Sequence, residues 1–95
     1  MKLEKGIAYN CKKEKIANAL LKRAEKDGLK WASGNKPTLI NYWDEYEQQT
    51  CYIVNDDMKL EYSPIDFYKK AGYKIVEYNP RKTIWRNRNE NKNND

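Results

Sequence analysis

Ninety-five residues suffice for one domain with one modest core, and with 39% apolar and 35% charged side chains the chain reads as globular. No apolar run approaches the roughly 18 residues of a membrane span, and the opening MKLEKGIAYN lacks the apolar stretch of a secretory leader, so the cytoplasm is the expected location. Histidine is absent, which removes Ser–His and Cys–His nucleophile pairs and most zinc or iron chemistry.

The net charge of +5 is unevenly placed. Residues 1–36 carry ten basic and four acidic side chains, residues 37–78 four and eight, and residues 79–95 five and two. A chain that is basic, then acidic, then basic again is no uniform nucleic-acid coat. Cys11 and Cys51 lack the paired spacing of a zinc site or a redox motif. Two small buried thiols are expected, and a disulfide would require an oxidising compartment.

In chain order, KGIAY reads as a short strand. Asn10 offers an N-cap for a helix over CKKEKIANALLKRAEKD, which Gly28 ends in a left-handed cap. At about 100° per residue, Ile16, Ala17, Leu20, Leu21 and Ala24 share one face. Lys12, Lys15, Lys22, Arg23 and Lys26 gather on another flank, either a solvated face or a set of phosphate contacts. GLKWA is the next strand. TCYIV and MKLEY flank NDD as a hairpin, with Met58, Leu60 and Tyr62 pointing one way. In SPIDFYKKAG, Ser63 caps, Pro64 takes the first helical position, Asp66 closes a capping box and Gly72 ends the helix. YKIVEY is a strand, KTIW an edge strand after the NPR turn, and residues 87–95 a polar tail.

These elements predict one α+β domain over residues 1–86: a two-layer sandwich, mainly antiparallel, of about five strands with two helices on one face, a ferredoxin-like variant. EKDGLKW and YKKAGYKI echo each other, each ending a helix in glycine and entering a strand.

The connection from Ser33 to Gln49 is longer than a compact domain usually allows without function or structure of its own. It holds Tyr42, Trp43 and Tyr46, with Trp43 and Glu47 aligned if YWDEYEQQ makes a helical turn. One reading is a segment pinned by its aromatics onto a sheet edge. The sharper one makes it a site. Backbone amides, Ser33, Lys36 and Thr38 in SGNKPT could surround a phosphate, and Trp31 and Trp43 could sandwich a base. The glycine spacing of a Walker loop is missing. Asp44, Glu45, Glu47, Asp56 and Asp57 are explained by turns and helix ends, and nothing sets one pair apart for acid–base work. Cys51 lies within an apolar strand that disfavours its thiolate. No catalysis, cofactor or metal site is expected.

The order GLKW, YWDEY, TCY, LEYS and GYKIVEY, over roughly Cys11 to Tyr78, resembles small uncharacterised accessory proteins of phages and prophages of low-GC Gram-positive bacteria. TCY and GYKIVEY are the most specific parts of the likeness. The resemblance implies a protein acting in the host bacterial cell, many of whose kind inhibit antiviral defence by occupying a host protein or sequestering a nucleotide signal. The expected contact surface is Trp31, Ser33, Lys36, Thr38, Tyr42, Trp43 and Tyr46, and the expected partner a host protein or a nucleotide-type small molecule. The alternative is a nucleic-acid-binding accessory protein using the helix stripe and Arg81, Lys82, Arg86 and Arg88, with Trp85 stacking. A structural phage component would instead self-associate into an oligomer. No membrane partner is expected.

Overall fold

A computed structural model describes residues 3–80 of the chain. β1 (Ile7–Asn10) leads into α1 (Glu14–Lys26), followed by β2 (Lys30–Trp31). A 3-10 turn (Pro37–Leu39), the short α2 (Trp43–Tyr46) and a second 3-10 turn (Glu47–Gln49) fill the long connection. β3 (Thr50–Val54), β4 (Lys59–Pro64), α3 (Ile65–Lys70) and β5 (Lys74–Glu77) follow. The expected edge strand at KTIW, the basic residues from Arg81 onward and the tail over 87–95 lie outside the described residues.

The strands form one five-stranded sheet in the order β2–β4–β3–β1–β5, so the class is α+β as expected. β3 is antiparallel to both neighbours and sets Tyr52 opposite Tyr9 on one side and Tyr62 on the other. The outer pairings are parallel: β5 beside β1, and β2 beside β4. The sheet is therefore mixed rather than mainly antiparallel, and its order is not the ferredoxin-like one.

The helices divide between the two faces, which corrects the expectation of both on one side. Tyr9, Tyr52, Val54 and Leu60 pack with Ala17, Leu20, Leu21 and Ala24 of α1. The alternate residues Ala8, Cys51 and Ile53 pack with Tyr68 of α3 and with Ile75. Since successive strand side chains point to opposite faces, these two clusters are the two sides of one sheet. Handedness is the reason. The β1–α1–β2 and β4–α3–β5 crossovers each step over two strands, but in opposite directions, and right-handed connections then place their helices on opposite faces. The echo between EKDGLKW and YKKAGYKI marks these two crossovers.

Local chemistry explains most boundaries. α1 buries its alanine–leucine stripe, and Gly28 at φ 84° closes it, with Leu29 N–H on the Ala24 carbonyl and Gly28 N–H on that of Glu25. β3 is buried along its whole length, as a strand covered on both faces must be. Asn55 folds the hairpin by accepting the amides of Asp57 and Lys59. Met58 sits in that turn at φ 61°, exposed, instead of facing the core with Leu60 and Tyr62. Ser63 is a strand residue opposite Cys51, so α3 starts after Pro64 and has no side-chain cap. Pairing with β3 outweighs the capping box there.

Asn10 is likewise not a cap. It ends β1, almost fully buried, and its Nδ2 donates to the carbonyls of Gln48 and Thr50 at 2.9 Å each, tying the end of the long connection to the sheet; α1 is entered instead through Lys13, without a side-chain bond. Removing this amide takes the side-chain donor from the Gln48 carbonyl, while that of Thr50 keeps the Cys11 amide at 3.0 Å. Asn10→Ala is expected to lower stability by about 2–3 kcal/mol, read as a reduced urea midpoint with unchanged slope. A loss below about 0.5 kcal/mol would mean that water replaces the side chain fully.

Candidate functional site

A single 13-residue helix, about 20 Å long and 10 Å wide, cannot cover one face of a five-stranded sheet whose strands stand about 4.8 Å apart. On the α1 side, residues 36–49 supply the rest of the layer. Trp31 is the pivot. It is buried on β2, and its Nε1 donates to the carbonyls of Pro37 (3.2 Å) and Ile40 (3.1 Å). Trp43 Nε1 donates to the Cys11 carbonyl at 3.0 Å, and Tyr52 donates its hydroxyl proton to the Asn41 carbonyl. From the other side, Asn41 Nδ2 reaches Glu14 (3.0 Å) and Asn18 (2.9 Å) on α1, and Thr38 donates through hydroxyl (2.6 Å) and amide (3.3 Å) to Glu25. Those two bonds hold the Glu25 carboxyl below the usual carboxylate range.

Where this cover meets the β2–β4 edge, an open cleft of about 280 Å³ remains, lined by Trp31, Ala32, Ser33, Tyr42, Leu60, Glu61 and Tyr62. Tyr42 and Tyr62 lie in a parallel stack, centroids 4.4 Å apart and planes 8° apart. Trp31 meets both edge-on, at 4.7 Å and 6.0 Å, and Tyr46 lies against Tyr62 at 6.0 Å. The Tyr62 hydroxyl donates to Glu45, and this bond, with partial burial, pushes the phenol up to about 12. Both ends of α2 are left-handed at bulky residues, Tyr42 at φ 58° and Glu47 at φ 50°. The second ends the helical turn at Tyr46, so the expected Trp43–Glu47 alignment does not form. Holding a tyrosine and a glutamate there costs on the order of 1–3 kcal/mol each, offset by the ring contacts and carbonyl bonds around them.

The structure thus brings Trp31, Ser33, Tyr42 and, through Tyr62, Tyr46 to one place. It separates the others. Trp43 makes no ring contact with Trp31, and both indole N–H groups are committed to carbonyls, so no base sandwich exists between them. Nor is there a phosphate cradle in SGNKPT. The Gly34 amide bonds the Trp31 carbonyl at 2.7 Å, the Leu39 amide that of Lys36, and the Thr38 amide a carboxylate, while Lys36 is exposed and outside the cleft. Lys12 precedes α1; Lys15, Lys22 and Lys26 stand exposed on it; Arg23, half-buried, pairs with Asp27 at 3.6 Å. Sequence reading missed Tyr62 as a site residue; Glu61, one position before it, turns its side chain to the opposite face, where Asn55 Nδ2 bonds it. The alternation of KLEY was legible, but not that β4 would run beside Trp31.

Cys11 and Cys51 are free and buried, in separate clusters on opposite faces. Burial pushes both thiols up, Cys51 to about 11, so neither offers a thiolate near neutrality. Among the described residues no group of three or more Cys, Asp or Glu side chains could hold a metal ion, and no helix is long and apolar enough to cross a membrane.

Burial also raises the Tyr52 and Tyr68 phenols above 10. A raised phenol pKa means the fold favours the neutral form. That stability is complete below about pH 10 and is lost as pH rises through the folded values, so alkaline unfolding should set in above pH 10. Glu45→Gln removes the charged acceptor; the Tyr62 ring resonances should then titrate closer to 10, while the Tyr52 resonances hold their position. Comparison of the chain with family models, with curated proteins and with solved structures finds no match.

Proposed function

We propose that the chain is a non-catalytic binding protein of phage or mobile-element origin that occupies the surface of a host protein, as an inhibitor of host antiviral defence does. The supporting observation is the cleft beside β2: tyrosines stacked over a buried tryptophan, held by carbonyl bonds behind them and open to solvent in front. Preordered aromatic anchors beside a few polar groups are what protein recognition relies on, because little side-chain entropy is lost on contact. Occupation of a protein fits better than sequestration of a nucleotide. Amides that would ring a phosphate, those of Gly34, Thr38 and Leu39, are bonded within the chain, and no basic residue among the described ones lines the cleft. The nucleic-acid alternative rests on Lys15, Lys22 and Lys26 and on basic residues beyond the described ones.

Affinity capture from a low-GC Gram-positive host separates these readings. The wild-type chain should enrich a particular host protein that a Tyr42→Ser/Tyr62→Ser variant, checked for folding by circular dichroism, fails to hold. The contact should survive a change from about 50 to 200 mM salt. Recovery of nucleic acid whose binding falls by about 10³-fold over that range would replace the proposal by its alternative.

A further inference from the structure

Resting on that binding reading, we infer that the cleft beside β2 receives a proline-rich segment of the partner protein in the polyproline II conformation, laid against the Tyr42–Tyr62–Trp31 surface. Charge narrows the occupant first. Glu61 borders the cleft through its backbone: Leu60 and Tyr62 on either side of it in β4 face the cleft, and its own carboxylate is bonded by Asn55 Nδ2 on the opposite face of the sheet. Among the described residues no charged side chain turns into the cleft, so an ionic group placed there would give up water without gaining a partner. The occupant is neutral.

The ways a peptide can dock narrow it further. A strand added to the sheet needs a free backbone edge, and here the Trp31 N–H donates to the Asn35 carbonyl while the Trp31 carbonyl accepts from Gly34. A helix needs a groove for anchors at i, i+4 and i+7, spread over about 10 Å. The cleft, about 280 Å³, falls just under the range of pockets that hold one small molecule, roughly 300–1,000 Å³, and is open on the solvent side. A polyproline II segment needs neither a strand edge nor a long groove. It lays a few rings against clustered aromatic side chains.

Hydrogen bonding and order agree with this occupant. A polyproline II backbone makes no internal hydrogen bonds, and proline brings a carbonyl but no N–H, so such a segment asks only for donors. Two hydroxyls of the lining can donate. That of Tyr42 has no acceptor among the described residues, and Ser33 Oγ only accepts, from the Asn35 amide at 3.5 Å. The surface is also set in advance. Trp31 is fixed by two carbonyls, and Tyr42 is held at φ 58°, a strained backbone of the kind that gathers at binding sites. A preordered segment on such a surface loses little entropy, where a flexible aliphatic chain of equal apolar area would lose more.

A random peptide library displayed on yeast and sorted against the intact protein tests the assignment. Recovered peptides should be enriched in proline, at adjacent positions or at every third residue. Replacing the shared prolines of a selected peptide by leucine should abolish its binding. Titrated into the wild-type protein, that peptide should move the amide signals of Ala32, Ser33, Tyr42 and Tyr62 and leave those of α3 in place. Tyr42→Ser should weaken it about tenfold and Tyr42→Phe, which keeps the ring, about fivefold, with the amide spectrum of each variant otherwise that of the wild type. Peptides without proline, equal binding of the leucine form, shifts centred elsewhere, or no peptide recovered above the Tyr42→Ser background would overturn the inference. A host protein captured through Tyr42 and Tyr62 by a segment without proline would overturn it too, while leaving the binding reading intact.

Discussion

Two right-handed crossovers that leave the centre of a sheet in opposite directions cannot place their helices on the same face. That constraint shapes the rest of this molecule. β1–α1–β2 travels one way across β3 and β4, and β4–α3–β5 the other way across β3 and β1. The arrangement has the topology of a two-fold axis along β3, exchanging β1 with β4, β2 with β5 and α1 with α3. Each face therefore has one helix to cover five strands. The α3 side answers with Tyr68, Tyr73, Ile65 and Ile75 around small strand residues. The α1 side presents Tyr52, Tyr62 and Trp31, too much aromatic surface for one helix, and the 36–49 segment completes it.

Covering a sheet with irregular chain raises a difficulty that a helix avoids. Backbone carbonyls in such a segment have no ladder of their own, and a buried one without a donor costs on the order of 1–3 kcal/mol. The side chains beneath supply the donors. Trp31 serves Pro37 and Ile40, Tyr52 serves Asn41 and Asn10 serves Gln48, while Trp43 of the segment donates in the other direction, to Cys11. This gives a physical reason for Trp31, Trp43 and Tyr52 at these positions: phenylalanine buries as much surface but donates nothing. The one phenylalanine, Phe67, is 58% exposed on α3, where no carbonyl needs it.

The same division explains what could be read from the sequence. Helix α1, its glycine end, the hairpin and the strands at TCYIV and YKIV follow from periodicity and turn chemistry, which act over a few residues. The α+β class follows from their order. Sheet order and the placement of the helices depend on which distant strands pair, and nothing local to β5 says that it lies parallel to β1. Asn10 and Ser63 were misread for one reason: a residue suited to capping a helix is also suited to satisfying a strand end, and tertiary pairing chooses. That the long connection would be pinned by its rings was legible from ring content and loop length, and Trp31, Ser33, Tyr42 and Tyr46 do gather at the cleft. The base sandwich and phosphate cradle failed because they presumed free N–H groups, and a covering segment commits such groups to its own carbonyls.

The edge beside the cleft is closed by the chain itself. In a parallel pair alternate residues turn both N–H and C=O outward, and on β2 that residue is Trp31, since Ala32 N–H faces inward to the Leu60 carbonyl. An exposed pair of this kind ordinarily invites an added strand. Here the turn over residues 32–35 occupies it. Asn35 accepts the Trp31 amide at 3.0 Å, and Gly34, at φ 95°, donates to the Trp31 carbonyl at 2.7 Å. With a side chain at position 34 that φ would be strained, and the edge would be harder to close. Strand addition is thus blocked where the aromatic cleft opens, and what this end of the sheet presents outward is side chains: the stacked tyrosines, the tryptophan beneath them and Glu45 on the Tyr62 hydroxyl.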